Sequence, residues 1–588
     1  MSKRHSFLSI TKQVLPLVIR TEKKDFLIYL MIDIFHGMSF GVVVIMIQKF
    51  FDSIVAAAES KEVGQVIFMM IMLSVAQLTS QALNGFANYY AGYIKNKVIG
   101  KLNVMVSNKA KKMRPIEYEK PERLDDLNKA SEGIQNACDL VDIVLSVFSF
   151  YMPYFILMAI YLFHQTPFLM VGILCVFVPV CWGQMLKTRI FSELTEHVAP
   201  IKRATTEYKK TLTDHRFLKE TRSLGSIKFF QSRFKESIMI LNENVLRASK
   251  RSAILGVILS MMSLLGYLVT LWMLIQFVVQ RRISIGAFAA ILASLEIMFL
   301  MMEEAISDQL SQASEKSGSV QHFLNYLAIL EQPYEAQFKT DERIILRNVS
   351  FKYPGSTQKA VNGINLEIED QEKVAIVGLN GSGKTTLTKL IMGLYEPTEG
   401  EVMVHGLDTK KAAPSSIYLL FSAVFQKFVR FKMTLEHNIK ISQFEKNEEI
   451  HGAMKSVDFE IKSSTFPQGK ETVLSREFDG VDLSGGQWQR IAIARAYYRD
   501  HQVILLDEPT AAIDPLEEAN LYQQFHDISL GKTSIIVTHR LGLAKIADRI
   551  IFLEKGEMLD QGTHEELMKR CKSYKKMWTS QSSWYERH

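Results

Sequence analysis

Six long apolar runs in the first 310 residues limit the folds open to this chain more than any other feature of its sequence. The runs cover residues 26–51, 64–90, 140–163, 168–186, 253–279 and 283–302. A helix that crosses the hydrocarbon core of a bilayer needs about 20 apolar residues. Because lipid offers no hydrogen bonds to the backbone, only helices or closed barrels can span it. The sequence therefore predicts six transmembrane helices.

The charges around these runs predict an orientation. Residues 1–25 are polar and basic, which places the N-terminus in the cytoplasm by the positive-inside rule, and six spans then place the C-terminus there too. The net charge of +7 is explained by Lys and Arg beside the spans and gives no reason to expect a nucleic-acid partner. We expect a multi-pass protein of the plasma membrane.

Two stretches between the apolar runs are charged but keep a helical pattern. Residues 95–140 and 187–251 extend well beyond the thickness of a bilayer and predict long cytoplasmic helices. Each is broken by a short polar segment, Tyr118–Asp126 in the first and Asp214–Glu220 in the second. A short transverse helix fits each break, and a solvated charged loop is the alternative.

Polar residues inside the apolar runs are candidates for a substrate cavity. Amides recur at steps of four, three and four along the second run, at Gln77, Gln81, Asn84 and Asn88. Asp33 and His36 lie in the first run, and Glu296 lies in the sixth. An ionisable group costs about 3 kcal/mol or more at the bilayer centre, so it faces a cavity or a partner rather than lipid. Hydrogen bonding between helices is the alternative for the amides.

The second half of the chain contains a phosphate-binding pattern directly behind the apolar strand Val374–Val377. Its residues are Gly378, Leu379, Asn380, Gly381, Ser382, Gly383, Lys384 and Thr385, and Thr386 continues the helix that follows. Glycines let the backbone amides wrap a polyphosphate, Lys384 supplies positive charge, and the Thr385 hydroxyl suits Mg²⁺. A plain turn is the alternative, but the full spacing behind a strand favours ATP binding.

Two carboxylates end a second apolar strand, at Asp507 and Glu508 after residues 503–506. A carboxylate and a hydroxyl are hard oxygen ligands, so Asp507 is predicted to bind Mg²⁺, through water. Glu508 is placed to act as the general base that activates water. An acidic strand end without function is the alternative.

A motif about a hundred residues after the phosphate loop links these features to a known protein family. Leu483, Ser484, Gly485, Gly486 and Gln487 form a Leu-Ser-Gly-Gly-Gln sequence followed by the helical run Arg490–Tyr498. The chain here resembles the ATP-binding-cassette (ABC) family, in which this signature closes over the nucleotide held by the partner subunit. The resemblance implies that two chains pair, as a homodimer or a heterodimer.

The resemblance also assigns roles to single residues. It implies that Tyr353 stacks on adenine, with an ordinary exposed tyrosine as the alternative, and that Gln426 contacts Mg²⁺ and the membrane domain. It implies that His539 bridges the terminal phosphate and Glu508, and that residues 511–514 contact the opposite subunit. The two breaks described above resemble the coupling helices of ABC exporters.

The predicted fold is a membrane α-helical domain of six spans, exporter type, followed by an α/β P-loop ATPase domain. The predicted boundaries are an N-terminal segment at 1–25, a transmembrane domain at 26–316, a linker at 317–341 and a nucleotide-binding domain at 342–588. The resemblance implies a half-size exporter that uses ATP and Mg²⁺. Its partners would be a second half-transporter chain, the bilayer and a peptide, lipid or drug-like substrate.

Two departures from the common exporter pattern bear on the substrate. Residues 472–480 replace the Thr-Glu-Val-Gly-Glu-Arg-Gly segment of many exporters, and Trp488 follows the signature. Both resemble the branch that contains lantibiotic and other peptide exporters. A siderophore-type importer and a non-transporting ATPase that gates or signals remain alternatives.

Overall fold

A computed structural model describes residues 7–119, 121–305, 309, 311–329, 334, 341–508 and 528–585. The chain divides into two compact units. The first comprises Met1–Lys109 and Asp125–Ile329, and the second comprises Ala110–Leu124 and Leu330–His588. Each unit is described separately below.

Helices make up the first half of the chain, and one short helix of this series, α4, belongs to the second unit. They are α1 (Phe7–Ile19), α2 (Lys23–Ser60), α3 (Gly64–Lys112), α4 (Pro115–Tyr118), α5 (Pro121–Ser146), α6 (Met152–Gln165), α7 (Phe168–Thr213), α8 (His215–Ser223), α9 (Ile227–Val279), α10 (Ile285–Glu303) and α11 (Ser311–Leu327). A π-helical turn, Val147–Tyr151, joins α5 to α6.

Six of the helical segments in the described residues are long and apolar enough to cross a membrane, which confirms the predicted number of spans. They are Lys23–Ser60, Gly64–Lys112, Asp126–Gln165, Phe168–Phe191, Ile227–Val279 and Ile285–Glu303. Helices α7 and α9 contain 46 and 53 residues. At 1.5 Å per residue they are roughly 70 and 80 Å long, more than twice the bilayer core. The charged stretches are therefore continuations of membrane helices, as predicted.

Glycines allow the membrane helices to pack closely. A Cβ added at Gly37 on α2 would collide with the backbone oxygen of Phe150 in the π-helical turn, and one at Gly286 on α10 would collide with the backbone of Gln48. Such close contacts between small residues are typical of helix interfaces in lipid, where hydrophobic burial drives little association. Asp52 also caps α10, because its carboxylate accepts from the Gly286 N–H at 2.9 Å and from Ser284 at 3.0 Å.

The second unit is an α/β domain with two sheets. Its strands are β1 (Ile344–Phe351), β2 (Val361–Ile368), β3 (Lys373–Gly378), β4 (Glu399–Val404), β5 (Leu407–Asp408), β6 (Phe421–Val424), β7 (Val503–Asp507), β8 (Thr533–Thr538), β9 (Arg549–Glu554) and β10 (Glu557–Gly562). The strand orders are β2-β1-β4-β5 and β10-β9-β3-β8-β7-β6. The first sheet is antiparallel, and β9, β3, β8, β7 and β6 of the second are parallel.

Helices of the second unit follow or separate these strands. They are α12 (Lys384–Ile391), α13 (Pro414–Tyr418), α14 (Leu435–Lys440), α15 (His451–Lys455), α16 (Gly485–Tyr498), α17 (Leu541–Ala544), α18 (His564–Arg570) and α19 (Lys572–Tyr585). Every residue of β7 and β8 is buried, as expected when both faces of a parallel sheet are covered. Segments that leave the carboxyl ends of β3, β6, β7 and β8 meet at one edge of the sheet, where ligands bind in open α/β folds.

The predicted linker is partly helical. Helix α11 continues to Leu327 and buries Val320 and Phe323, because these apolar residues recur on one helical face. Most of residues 330–340 lie outside the described part of the chain. The domain boundaries given above therefore stay predictions.

Candidate active site

The phosphate loop joins β3 to α12 and has the backbone that its glycines predict. Gly381 and Gly383 adopt φ values of 79° and 99°, a region that favours glycine. A Cβ at Gly383 would also collide with the Ala360 backbone oxygen. The Lys384 ammonium donates to the Gly378 carbonyl at 2.8 Å and the Leu379 carbonyl at 3.1 Å. Burial lowers the pKa of Lys384, so an anion in the loop would compensate a partly desolvated cation.

Tyr353 lies at the mouth of this loop and is held there by three contacts. Its hydroxyl lies 3.0 Å from the Thr386 hydroxyl, and its ring makes edge-on contacts with Phe351 at 5.1 Å and Tyr395 at 5.9 Å. The half-buried ring is fixed in position by packing on β1 rather than lying free on the surface. This geometry is compatible with adenine stacking, and that role stays a prediction.

Asp507 and Thr385 are the oxygen-bearing side chains that the sequence predicts as Mg²⁺ ligands. Asp507 is only 4% exposed, and its interaction with the Thr385 side chain favours the charged form of the carboxylate. Burial and the neighbouring Glu508 charge nevertheless raise the pKa of Asp507 above its ordinary value. A buried carboxylate of this kind is stabilised by a cation, and the hydroxyl and carboxylate oxygens match the preference of Mg²⁺. The residues present therefore fit the predicted metal.

Glu508 is the point at which three strand ends converge. Its carboxylate accepts from the Gln426 side-chain amide at 2.5 Å, and His539 Nδ1 lies 3.0 Å from its other oxygen. Its backbone N–H donates to the Val537 carbonyl at 2.9 Å. Glu508 has a φ of 47°, a conformation that costs a non-glycine residue about 1–2 kcal/mol. The hydrogen bonds hold the carboxylate between Gln426 and His539 despite that cost.

Most of these residues line one cavity of about 660 Å³, whereas Gly378, Leu379 and Asp507 of the predicted site do not line it. Its lining includes Tyr353, Asn380–Thr386, Gln426, Glu508 and His539. Sequence reasoning missed two lining residues, Ala360 and Arg540. Arg540 could have been found as a basic side chain directly after His539, whereas Ala360 carries no chemical signal.

The signature residues do not line this cavity. Ser484 is the N-cap of α16, where its hydroxyl accepts from the Gln487 N–H at 3.2 Å and the Gln487 side chain accepts from the Ser484 N–H at 2.9 Å. This reciprocal capping box fixes the start of the helix. Leu483 is buried, while Ser484 is exposed. The predicted inter-subunit loop at 511–514 lies outside the described residues.

Comparison with known proteins assigns a family to both halves. The family profile described as "ABC transporter transmembrane region" matches residues 26–302, and the "ABC transporter" profile matches residues 361–511. The chain belongs to the ABC transporter family. Its second unit therefore contains an ABC ATPase domain, the domain that binds and hydrolyses ATP in this family.

Relatives and a solved structure agree with this assignment. The subtilin transport ATP-binding protein SpaT of Bacillus subtilis is 29% identical over 98% of this chain and 95% of the relative. The nisin transport ATP-binding protein NisT of Lactococcus lactis subsp. lactis is 35% identical over 40% of each chain. A bacterial Atm1-family ABC exporter with ATP bound has a TM-score of 0.79, at 18% identity, over 95% of this chain and 98% of that one. That last similarity shows the exporter fold.

The short helix at the first predicted break is α4, Pro115–Tyr118, so it lies almost entirely before the predicted segment Tyr118–Asp126. Its N-cap Arg114 and the following residue Glu119 contact the ABC ATPase domain inside the second unit. Arg114, only 4% exposed, donates to the Thr409 and Lys410 carbonyls at 2.8 Å each and pairs with Glu396 at 2.9 Å. Glu119 accepts from the Tyr395 hydroxyl and lies 3.6 Å from the Lys389 ammonium. These contacts favour a docked helix over a solvated loop. Tyr395 is the residue against which Tyr353 packs, so the segment lies two contacts from the nucleotide cavity.

The second predicted segment forms helix α8 and is largely exposed. Asp214 caps the helix by accepting from the Arg216 N–H at 3.0 Å and pairs with the Arg216 guanidinium at 2.6 Å. Leu224, just after the helix, is 72% exposed. The helical form agrees with the prediction, while its role in coupling stays a prediction.

The predicted membrane residues divide into three groups. Asp33, His36, Asn84 and Asn88 line one cavity of about 380 Å³ in the first unit. Gln77 and Gln81 are exposed on α3 and do not line that cavity. Glu296 lines a different cavity of about 320 Å³. Sequence reasoning missed Tyr29, Asp142 and Glu304, which also line the first cavity, although Asp142 was visible as an acid at the start of the third apolar run.

Proposed function

We propose that this chain is one half of a dimeric exporter that hydrolyses ATP to move a substrate out of the cell. The observation that carries the proposal is the convergence of Gln426, Glu508 and His539 at the mouth of the phosphate loop. A chain that combines such a site with six apolar spans is better suited to moving a substrate across a membrane than to a reaction of soluble metabolites.

Nucleotide binding would use the loop and the aromatic side chain above it. The Lys384 ammonium, now bonded to two loop carbonyls, would exchange these for phosphate oxygens, and loop amides would complete the cradle. Tyr353 would stack on adenine. Thr385, Gln426 and Asp507 would hold Mg²⁺, which supplies charge neutralisation to the phosphates.

Hydrolysis would depend on Glu508 and on the two residues bonded to it. Glu508 would accept a proton from the attacking water as general base, and Gln426 and His539 would hold its carboxylate in place. Nδ1 of His539 faces Glu508, so Nε2 of the same ring would be available to contact phosphate. The product is ADP and phosphate, and the substrate is not chemically changed.

Two chains would have to pair to complete each site. Ser484 is exposed and Gly485 and Gly486 are half-buried at the N-terminus of α16, and none of them lines the chain's own nucleotide cavity. A helix N-terminus favours phosphate, so the signature is suited to close over ATP held by a second chain. Lys384, Ser484, Asp507, Glu508 and His539 are all present, so both sites of a homodimer would be intact. A heterodimer with another half-transporter is the second possibility.

Pairing can be tested with two tags. The chain is expressed in two forms with different affinity tags, and one tag is used for purification. Recovery of the second tag would support self-pairing, and consistent failure to recover it would favour a heterodimer.

We place the dimer in the plasma membrane with both termini and the ATPase domain in the cytoplasm. The basic segment before the first span supports this orientation. A peptide is our preferred substrate, because residues 472–480 and Trp488 resemble peptide exporters and two relatives are named for the transport of subtilin and nisin. Lipid or drug-like substrates come second.

Transport into inside-out vesicles tests the function. ATP-dependent accumulation of a labelled peptide that is lost in Glu508→Gln would support export. Uptake into right-side-out vesicles would instead support a siderophore-type importer on the same scaffold. ATP hydrolysis without movement of any peptide, lipid or drug probe would favour a gating or signalling ATPase.

A further inference from the structure

The cavity lined by Asp33, His36 and Asp142 has an excess of negative charge. Asp33 accepts a hydrogen bond from Ser149, and Asp142 accepts one from the Tyr29 hydroxyl at 2.9 Å. Neither carboxylate has an ion-pair partner among the described residues, and Glu304 adds a third carboxylate to the same lining. Neutral hydrogen bonds solvate a carboxylate but leave its charge uncompensated.

The two lysines whose charge acts on Asp142 contact a different carboxylate. Lys95 and Lys316 are the cations whose charge reaches Asp142, and each lies 2.5 Å from a carboxylate oxygen of Asp139. Asp139 does not line the cavity. Among the described residues both lysines contact Asp139, and neither forms an ion pair with an acid that lines the cavity, although their charge acts on Asp142 from a longer distance. Ionisable groups inside a membrane domain are costly and mark substrate pathways by default.

His36 provides a second, independent indication of a ligand. Its side chain is only 7% exposed and lines the cavity, yet its Nε2 has no hydrogen-bond partner in the described part of the chain. The ring is fixed against Phe150 at 4.6 Å and Phe40 at 5.4 Å. A buried polar atom without a partner costs about 1–3 kcal/mol, which a ligand donor would recover.

The lining favours an organic cation over a metal ion. No group of three His, Cys, Asp or Glu side chains suited to a metal occurs in the part of the chain that was described. Phe40, Phe150 and Tyr151 add aromatic surface, which attracts cations and packs against an apolar stem. We propose that this cavity binds a protonated amine on a short apolar stem, such as a lysine side chain or a free N-terminus of the cargo. The inference rests on the proposed export function.

Equilibrium binding tests the inference without transport. The probe is dansylcadaverine, a fluorescent primary amine on a five-carbon stem, and its N-acetylated form is the matched neutral probe. Fluorescence titrations use the full-length protein in lipid nanodiscs, without nucleotide. We expect the amine to bind about tenfold more tightly than its neutral form, the effect of one charge-assisted hydrogen bond.

The variants Asp33→Asn and Asp142→Asn are expected to lose most of this preference. Asparagine keeps the size of the side chain and can still accept from Ser149 or Tyr29. Glu59→Gln, an exposed carboxylate near the end of the helix that carries Asp33, is the control and should keep the preference. Binding of a fluorescent ATP analogue verifies that each variant is folded.

Equal affinity for both probes in the unaltered protein would overturn the proposal. So would an unchanged preference in the folded Asp33→Asn and Asp142→Asn variants. If Na⁺ or K⁺ displaced the amine much more effectively than choline does, the carboxylates would be assigned to a metal ion. That result would also overturn the proposal. Selective amine binding without ATP-dependent accumulation in inside-out vesicles would disprove the export function but would still support the amine site.

Discussion

The nucleotide cavity and the membrane cavity are assembled in different ways. The first takes its polar residues from short contiguous segments directly behind β3, β6, β7 and β8. The second takes single residues from α2, α3 and α5 and from the chain near the end of α10. Phosphate is bound by consecutive backbone amides, which imposes a fixed spacing on the sequence. A side-chain cavity imposes no such spacing.

The two cavities also differ in charge. Lys384 and the amides of the phosphate loop suit the first cavity to an anion, and we propose that Glu508 in its lining acts on water and Asp507 on the metal ion. Asp33, Asp142 and Glu304 make the second a site for a cation. The comparison predicts that variants in one cavity leave ligand binding in the other intact while changing transport.

The largest effect is expected for Lys384→Ala. Loss of the charge in the phosphate loop should lower ATP hydrolysis by about a hundredfold or more. Dansylcadaverine binding in the absence of nucleotide should stay unchanged. Lys462→Ala, an exposed lysine paired with Glu460, is the control and should hydrolyse ATP normally. Near-normal ATP hydrolysis in Lys384→Ala would show that the phosphate loop does not bind the nucleotide that is hydrolysed.

Glu508→Gln should separate binding from hydrolysis. The glutamine can still bond to Gln426 and His539 but cannot accept a proton, so hydrolysis should fall by about 10²–10⁴-fold. ATP binding should persist and should accumulate a closed dimer, measurable by size-exclusion chromatography after incubation with Mg²⁺-ATP. Hydrolysis at the wild-type rate would disprove the assignment of Glu508 as base.

Arg114→Lys should weaken the link between hydrolysis and transport. A guanidinium can bond to two carbonyls and a carboxylate at once, which an ammonium on a flexible stem does poorly. We expect transport per ATP hydrolysed to fall by about tenfold, on the order of one to two lost charge-assisted bonds. The exposed neighbour Lys111→Arg is the control. An unchanged ratio would show that this docking contact carries no coupling.

The smallest effect is expected at Tyr353. Loss of a stacking contact of about 1 kcal/mol should raise the KM for ATP about fivefold in Tyr353→Ala. Tyr353→Phe keeps the ring, loses only the contact with the Thr386 hydroxyl and should stay within about twofold. Equal KM values for the two variants would show that the ring does not stack on adenine.

Much of the nucleotide site could be predicted from sequence because local spacing specifies it. The run from Gly378 to Thr385, the pair Asp507 and Glu508, and His539 each follow a buried strand, and the sheet brings these strand ends together. The contacts of Arg114 could not be predicted, although Pro115 at the start of α4 marks the helix that Arg114 precedes. Its carbonyl partners belong to a loop almost 300 residues away.

The membrane cavity could be predicted only in part. Asp33, Asn84 and Asn88 are visible as polar residues in apolar runs, but periodicity does not say which helices face one another. Gln77 and Gln81 share the periodicity of Asn84 and Asn88 on α3, yet they lie outside the lining. The packing of α2 against the turn that contains Phe150 brings Asp33 to Ser149. That contact is tertiary and has no local sequence signature.

The claim that one chain's phosphate loop and another chain's signature share a nucleotide is tested most directly by disulfide cross-linking. The four native cysteines are replaced, and Asn380→Cys and Ser484→Cys are introduced into separately tagged chains that also carry Glu508→Gln. With ATP bound, we predict a covalent dimer only when the two kinds of chain are mixed. An absent cross-link in the mixture, together with an intrachain disulfide when both cysteines are in one chain, would contradict the account.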